Sequence, residues 1–374
     1  MAITLYAECA ITCDARAVAR GFLIVADAPT AVSEPQYSWD VAWADAVRQA
    51  GELGADQRTA QALAEGAGRT RAAGTRVVVA AHAEVLLARW LPAGAATNSV
   101  RVGPLPHLLE AAAAAARRPA HVVVLADRDG AAVVAHSAGD EHPARRFPVG
   151  ARPGAQRDPH PDRPPALHHG ERHVTGREPE SGGERNAEFI AARVAEAAGS
   201  VGAHIALGAG DRHILDAVSE HLPGSLGPIT AIASGPVAGE GDDQLSAEIG
   251  AALDEITARA IAAAGDLVAS SAAGSEPAAV RGVAAVAEQL TEQQVAVLLV
   301  AADIAQDSAG SQYRIGSRPT EFGAGDSVSG IQVPLEAGLT WAALHQDAIV
   351  VQLPDRTGAL AGQPAAALLR RGQS

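Results

Sequence analysis

The sequence predicts an α/β protein of three domains, on three observations. Its 374 residues, 48% of them apolar, exceed what one core usually organises. Apolar β-rich runs alternate with runs of helical period along the whole chain, the pattern of layered α/β folds. Breaks fall at Pro119 and at the small-residue stretch SSAAGSEPA, residues 270–278. The expected domains are therefore 1–117, 118–268 and 269–374.

In the first domain GFLIVADAP reads as a strand. A helix follows, with Ser38 as N-cap and Trp39, Trp43, Val47 and Ala50 on one face. Two tryptophans one turn apart invite a base-stacking reading, but core anchors of an amphipathic helix account for them more simply. TRVVVAAH is a strand, VLLARWL a second apolar run, and LPHLLEAAAAAARR a helix stopped by Pro119.

The second domain opens with HVVVLADRDGAAVVAHS, in which Asp129-Gly130 between two apolar runs signals a hairpin. A polar insert follows. Then comes a helix burying Phe189, Ile190, Val194 and Ala197, the strand HIALGAG, a helix capped by Asp211 and ended by Pro223-Gly224, and the strand PITAIAS. DDQLSAEIGAALDEITARAIAAAGDLV is a long helix. In the third domain VRGVAAVAEQLTEQ is a helix, QVAVLLVAAD a buried strand and AIVVQLP another, an order that suits a small α/β/α sandwich. Gly310, Gly316, Gly323 and Gly325 read as one long loop.

The formal charge of −14 argues against a surface that coats nucleic acid indiscriminately, while leaving room for a local basic element. Every basic side chain apart from histidine is arginine, which together with the alanine content points to a GC-rich genome. Cys9 and Cys13 lack a second ligand pair and read as reduced thiols. The N-terminal stretch has no secretory pattern and no apolar run suits a bilayer, so a soluble cytoplasmic protein without membrane contact is expected.

Familiar catalytic motifs are missing. Gly208-Ala209-Gly210 is half of a dinucleotide fingerprint, without its third glycine or its acidic partner, and a strand-to-helix turn explains it better. Asp127 and Asp129 sit in a hairpin turn, where solvated carboxylates are ordinary. No cofactor and no metal site is expected.

The insert resists such readings. Between His142 and Arg177 lie Arg145, Arg146, Arg152, Arg157, Arg163, Arg172 and Arg177, with His160, His168, His169 and His173. Acids within it are few, and Pro153, Pro159, Pro161, Pro164 and Pro165 favour extended backbone. Arginine forks match phosphates, and arginine-rich segments commonly order on RNA. From composition alone, RNA contact and a merely solvated loop both stand.

Several strings resemble a known family. SWDVAWADAVRQ, ARRPAHVVVLADRDGAAVVAHS, RNAEFIAARVAEA, HIALGAGDRHILDAVSEHLP and AIVVQLPDRTGALAGQPAAALLR are similar, in this order, to bacterial relatives of class-1 release factors and Pelota. Within these they most resemble the actinobacterial branch of ribosome hibernation factors related to Balon, over roughly residues 30–374. The resemblance implies an RNase-H-like middle domain whose loop, 142–184, reaches the peptidyl-transferase centre. It also implies an N-terminal domain facing the decoding site and a C-terminal sandwich like those of RNA-binding ribosomal proteins.

On that basis the expected partner is the 70S ribosome through its 23S and 16S rRNA, with EF-Tu as a possible companion and no role for DNA. The expected rRNA-binding residues are Arg145, Arg146, Arg152, Arg157, Arg163, His168, His169, Arg172, His173 and Arg177. The expected function is occupation of the vacant A site of idle ribosomes in stress or dormancy, without catalysis. The alternative is a peptidyl-tRNA hydrolase that rescues stalled ribosomes. It needs a residue that orients water, and the Gly-Gly-Gln of release factors is replaced here by Gly182-Gly183-Glu184. Gln156 and Glu184 are the only candidates. A third reading is a general stress protein with no ribosomal role.

Overall fold

A computed structural model describes residues 21–27, 35–68, 74–91, 99–127, 130–139, 143–150, 181–232, 242–271, 278–304, 313–316, 321–324, 328, 330–354, 356 and 358–370. Cys9 and Cys13 fall outside the described residues, as do 272–277 of the expected linker. The chain is a mixed α/β protein that divides into two compact units. One holds residues 1–118, 139–141 and 257–374, the other 119–138 and 142–256.

The first unit begins with an antiparallel sheet. Strands β1 (Gly21–Asp27), β2 (Thr75–Ala81), β3 (Glu84–Leu91) and β4 (Ser99–Gly103) lie in the order β3-β2-β1-β4. The β2–β3 turn is made by His82 and Ala83, at φ 51° and 66°, the left-handed pair that suits a two-residue hairpin. β4 was not legible as a strand in the sequence. Helices α1 (Pro35–Glu52) and α2 (Gln57–Glu65) cover one face. Ser38, expected as N-cap, lies inside α1. Pro35 opens the helix instead, since its φ is already helical and its missing N–H would have no partner there.

The tryptophans are core, as their spacing implies. Trp39 is fully buried and its ring lies 5.1 Å from Trp43 and 5.3 Å from Trp90. Trp43 Nε1 donates to Leu63 O at 2.9 Å, which ties α1 to α2. Arg76 closes the cluster, its guanidinium 5.3 Å from the Trp90 ring and donating to Gly66 O at 2.9 and 2.7 Å. Asp56 caps α2 through Arg58 N, Thr59 N and Thr59 Oγ1, and the Thr59 hydrogen bonds hold its carboxyl below the usual carboxylate range.

The second unit is built on β5 (His121–Asp127), β6 (Gly130–His136), β7 (Pro143–Gly150), β8 (Ile205–Gly210) and the two-residue β9 (Thr230–Ala231). Their order is β7-β6-β5-β8-β9, with β5 to β7 antiparallel and β8 and β9 parallel to β5. That topology is RNase-H-like. Helices α4 (Ser181–Val201) and α5 (Arg212–Glu220) pack on one face over Val122, Val124 and Val133. The remaining helix of the first part, α3 (Leu109–Ala116), belongs to the first unit.

Two expectations change here. The loop expected across 142–184 is a strand at its start, since Pro143–Gly150 pairs with β6, and helix from Ser181 onwards. Phe189, expected in the core, is 50% exposed. The buried stripe of α4 runs through Ala187, Ile190, Ala191, Val194, Ala197, Ala198 and Val201. Phe189 precedes Ile190 by one residue, about 100° around the helix, and so falls off the stripe.

The long helix α6 (Asp242–Ser270) has its residues up to Ile256 in the second unit and the rest in the first. A four-stranded sheet then returns to the first unit. It comprises β10 (Ala279–Arg281), β11 (Val295–Ala301), β15 (Ile349–Leu353) and β16 (Ala365–Leu369), ordered β10-β16-β11-β15. Val297, Leu299 and Ala301 of β11 pack with Ala264 and Val268 of α6 on one face. Leu298 and Val300 face α7 (Val283–Thr291) and α8 (Leu335–Leu344) on the other, giving the expected α/β/α sandwich. A bulge between Val295 and Val297 returns Val295 to the α7 side.

The stretch expected as a glycine-rich loop carries β12 (Tyr313–Ile315) and β13 (Phe322–Ala324), which with the following β14 (Ile331–Val333) form a small sheet ordered β13-β12-β14. Strands of three residues are too short to display a period of two.

The far face of the N-terminal sheet does not have a separate core. Val77, Val79, Leu87 and Leu91 belong to one buried cluster with Leu105, Leu108, the alanine face of α3, Leu298, Trp341 and Val350. His107 Nδ1 lies 3.2 Å from Glu336 Oε1 within this unit. Segments 77–115 and 286–367, expected in different domains, therefore share packing. Replacing Trp39 by alanine removes the largest fully buried side chain of the α1 cluster. It is expected to cost about 3–5 kcal/mol, read as a lowered urea midpoint.

Candidate nucleic-acid interface

β8 runs parallel beside β5, and its C-terminal residue approaches the neighbouring backbone closely. A Cβ on Gly210, at φ +112°, would lie 1.9 Å from Ala126 O, and one on Gly208 would lie 2.5 Å from Ile229 Cγ2 and 2.8 Å from Leu215 Cδ2. Both glycines are thus required by packing between strand, strand and helix. That supports the strand-to-helix turn over a nucleotide fingerprint. Asp211 N donates to Ala126 O at 2.9 Å, and Asp211 Oδ1 accepts from His213 N at 3.0 Å as the cap of α5.

On the other side of β5 lies the hairpin. Asp127 pairs with Gly130 in the hairpin that Asp129-Gly130 predicts, with Gly130 as the first residue of β6 rather than a turn residue; Asp129 falls outside the described residues. Among the described residues no group of three or more His, Cys, Asp or Glu is placed to hold a metal ion. His121 and His136 face each other across β5 and β6 with rings stacked at 4.6 Å. His121 Nδ1 is 2.9 Å from Pro119 O, which makes it the donor of that ring.

β7 forms the edge of the sheet beyond β6. Phe147 opposes Val133 and packs on the α4 side of the core. Arg145 opposes Ala135 and Arg146 opposes Val134, and both arginines are exposed. Among the described residues neither guanidinium has a hydrogen-bond or ion-pair partner. Three other exposed arginines are neutralised locally, whereas Arg58 and Arg117, like the β7 pair, have no side-chain partner among the described residues. Arg193 meets Glu196 at 2.5 Å, Arg48 contacts Asp45 at 2.5 Å and also Glu52, and Arg212 lies 3.6 Å from Asp216.

Of the residues expected at the interface, the structure thus positions Arg145 and Arg146, together on one edge strand. Arg152, Arg157, Arg163, His168, His169, Arg172, His173 and Arg177 lie outside the described residues, as does Gln156. Glu184 is in the first turn of α4 with Gly182 and Gly183, so that tripeptide is helical backbone. Strand β7 itself was missed because Pro143 and Pro148 break the apolar pattern. Proline in a sheet is nevertheless a mark of edge position.

Sheet topology and the unpaired arginines together define an RNase-H-like domain with a cationic edge, the type of middle domain that the resemblance to release factors implies. Residues 120–274, from β5 through α6, match bacterial archaeo-eukaryotic release factor family 2. The resemblance read from the sequence holds, at the level of that family, for this part of the chain.

Solved structures similar to the chain include Pelota from Archaeoglobus fulgidus, at 14% identity over 79% of each chain and a TM-score of 0.33. An archaeal Pelota described as ribosome-bound, together with ABCE1, has 17% identity over 80% of this chain and 78% of that one, with a TM-score of 0.40. The archaeal termination factor aRF1 has 10% identity over 94% and 92%, with a TM-score of 0.20. Among curated proteins none matches the chain. Among the described residues no helix is long and apolar enough to cross a membrane.

Gly210→Ala is expected to weaken the β5–β8 pair, because the added methyl meets a backbone carbonyl at a positive φ. Amide hydrogen exchange should show faster exchange in β8 and α5 than in β11. Unchanged protection there would contradict the packing role of this glycine.

Proposed function

We propose that the protein is a cytoplasmic ribosome-binding factor. It occupies the vacant A site of idle ribosomes in stress or dormancy, blocks tRNA entry and shields the peptidyl-transferase centre. The observation that carries this reading is the match of residues 120–274 to a release-factor family, in a domain whose edge strand presents two unneutralised arginines. That strand runs directly into residues 151–180, the most arginine- and histidine-rich part of an otherwise acidic chain. A local cationic element within a chain of net charge −14 suits selective docking on buried rRNA rather than general coating.

The proposed contacts are the ten basic residues from Arg145 to Arg177 named above, acting by phosphate neutralisation without catalysis. Gly182-Gly183-Glu184 favours binding over hydrolysis. An ionised glutamate is an acceptor only, and it stands in the helical first turn of α4, where release chemistry needs a glutamine at a loop tip. EF-Tu is a proposed companion on delivery.

The test is cosedimentation of the purified chain with purified 70S ribosomes across a salt series, with a peptidyl-tRNA release assay run beside it. If roughly six phosphates are engaged, affinity should fall about 10³-fold between 50 and 200 mM salt, with no peptide released. Absence of binding at low salt refutes the ribosomal reading. Release that is lost in Gln156→Ala or Glu184→Ala would establish the hydrolase instead.

A further inference from the structure

We infer that strand β7 is in itself a preformed phosphate-binding rail, a rigid contact for the RNA backbone separate from the arginine-rich segment that follows it. This rests on the ribosome-binding reading and adds to it a location, a ligand and a geometry.

Four observations carry it. First, β7 is the outer strand of its sheet, so one backbone edge faces away from β6. Second, successive residues of a strand point to opposite faces. Arg145 therefore lies on the face of Ala135 and Phe147, towards α4, and Arg146 on the face of Val134. The two guanidiniums bracket the edge from either side. A polyanionic backbone crossing that edge meets both, and each fork can take two phosphate oxygens.

Third, the register shifts between Ala135 and His136, leaving Ala144 as the extra residue immediately before the arginine pair. A bulge adds local twist and re-aims the side chains beside it. Fourth, both side chains are exposed and lack a carboxylate or carbonyl partner among the described residues, so no internal ion pair must break before a phosphate binds.

The edge also disfavours the other common occupant, an added peptide strand. Pro143 and Pro148 each remove a backbone donor from an eight-residue strand, and two adjacent charges sit between them. The occupant is therefore the phosphodiester backbone of RNA.

The test uses the full chain and purified 70S ribosomes, comparing Arg145→Ala/Arg146→Ala with a matched control, Arg58→Ala/Arg117→Ala. The control removes two exposed arginines that also lack side-chain partners among the described residues. Equal urea midpoints establish that all three proteins are folded alike. Each phosphate contact contributes about 0.7–0.9 to the slope of log affinity against log salt. The β7 pair should therefore flatten that slope by about 1.4–1.8, and the control should leave it unchanged.

An unaltered slope in the β7 variant, with native binding intact, overturns the rail and leaves the ribosomal reading standing. Equal flattening in the control shows a general charge effect and also overturns it. A weakened β7 variant with an unchanged slope points to a peptide occupant and overturns the assignment to RNA. Failure of the native chain to bind ribosomes at all overturns both.

Discussion

The carbonyl of Ala126 occupies the space where residue 210 would carry a side chain. This close approach lets β8 lie in register beside β5, from His121 against Ile205 to Ala126 against Gly210. With β8 fixed on one side of β5, the tight hairpin places β6 on the other, and β7 can only follow outside it. The place of Arg145 and Arg146 on an edge strand is a consequence of that order.

Two parts of the first unit's core are filled in different ways. In α3 the run of alanines from Ala111 to Ala115 is buried throughout, so the helix sits close against its neighbours without needing large side chains to fill space. Just past the end of α8, Gln346 instead supplies polar contacts within the core. It accepts from Val295 N at 3.0 Å and donates to Leu290 O at 3.2 Å and Ala342 O at 3.1 Å, which ties α7, α8 and β11 beside the bulge. A buried amide with its hydrogen bonds made specifies register as well as adding stability.

Much of this was legible in the sequence. Trp39, Trp43 and Ala50 announced the buried face of α1, Asp127 to Gly130 the hairpin, and Asp211 the cap of α5. Each signal is local, a spacing or a turn chemistry. What stayed hidden needed partners distant in sequence. β4 shows no alternation of its own and is a strand because β1 offers it an edge. Phe189 looked apolar enough to bury, but smaller residues one turn away already fill the stripe. Arg145 and Arg146 were picked out as basic residues from composition alone. That they stand on a paired strand depends on Val133 to Ala135 across the ladder, which no reading of PARRFPVG by itself supplies.

The common core beneath β2, α3 and the C-terminal sheet ties the fates of segments 77–115 and 286–367 together. Material made first during synthesis has to wait, with Val77, Val79, Leu87 and Leu91 uncovered, until Leu298, Trp341 and Val350 have been made. Loss of either segment, 77–115 or 286–367, would strip apolar cover from the other. A fragment meant for study in isolation is therefore better cut around the RNase-H-like unit than at the midpoint of the chain.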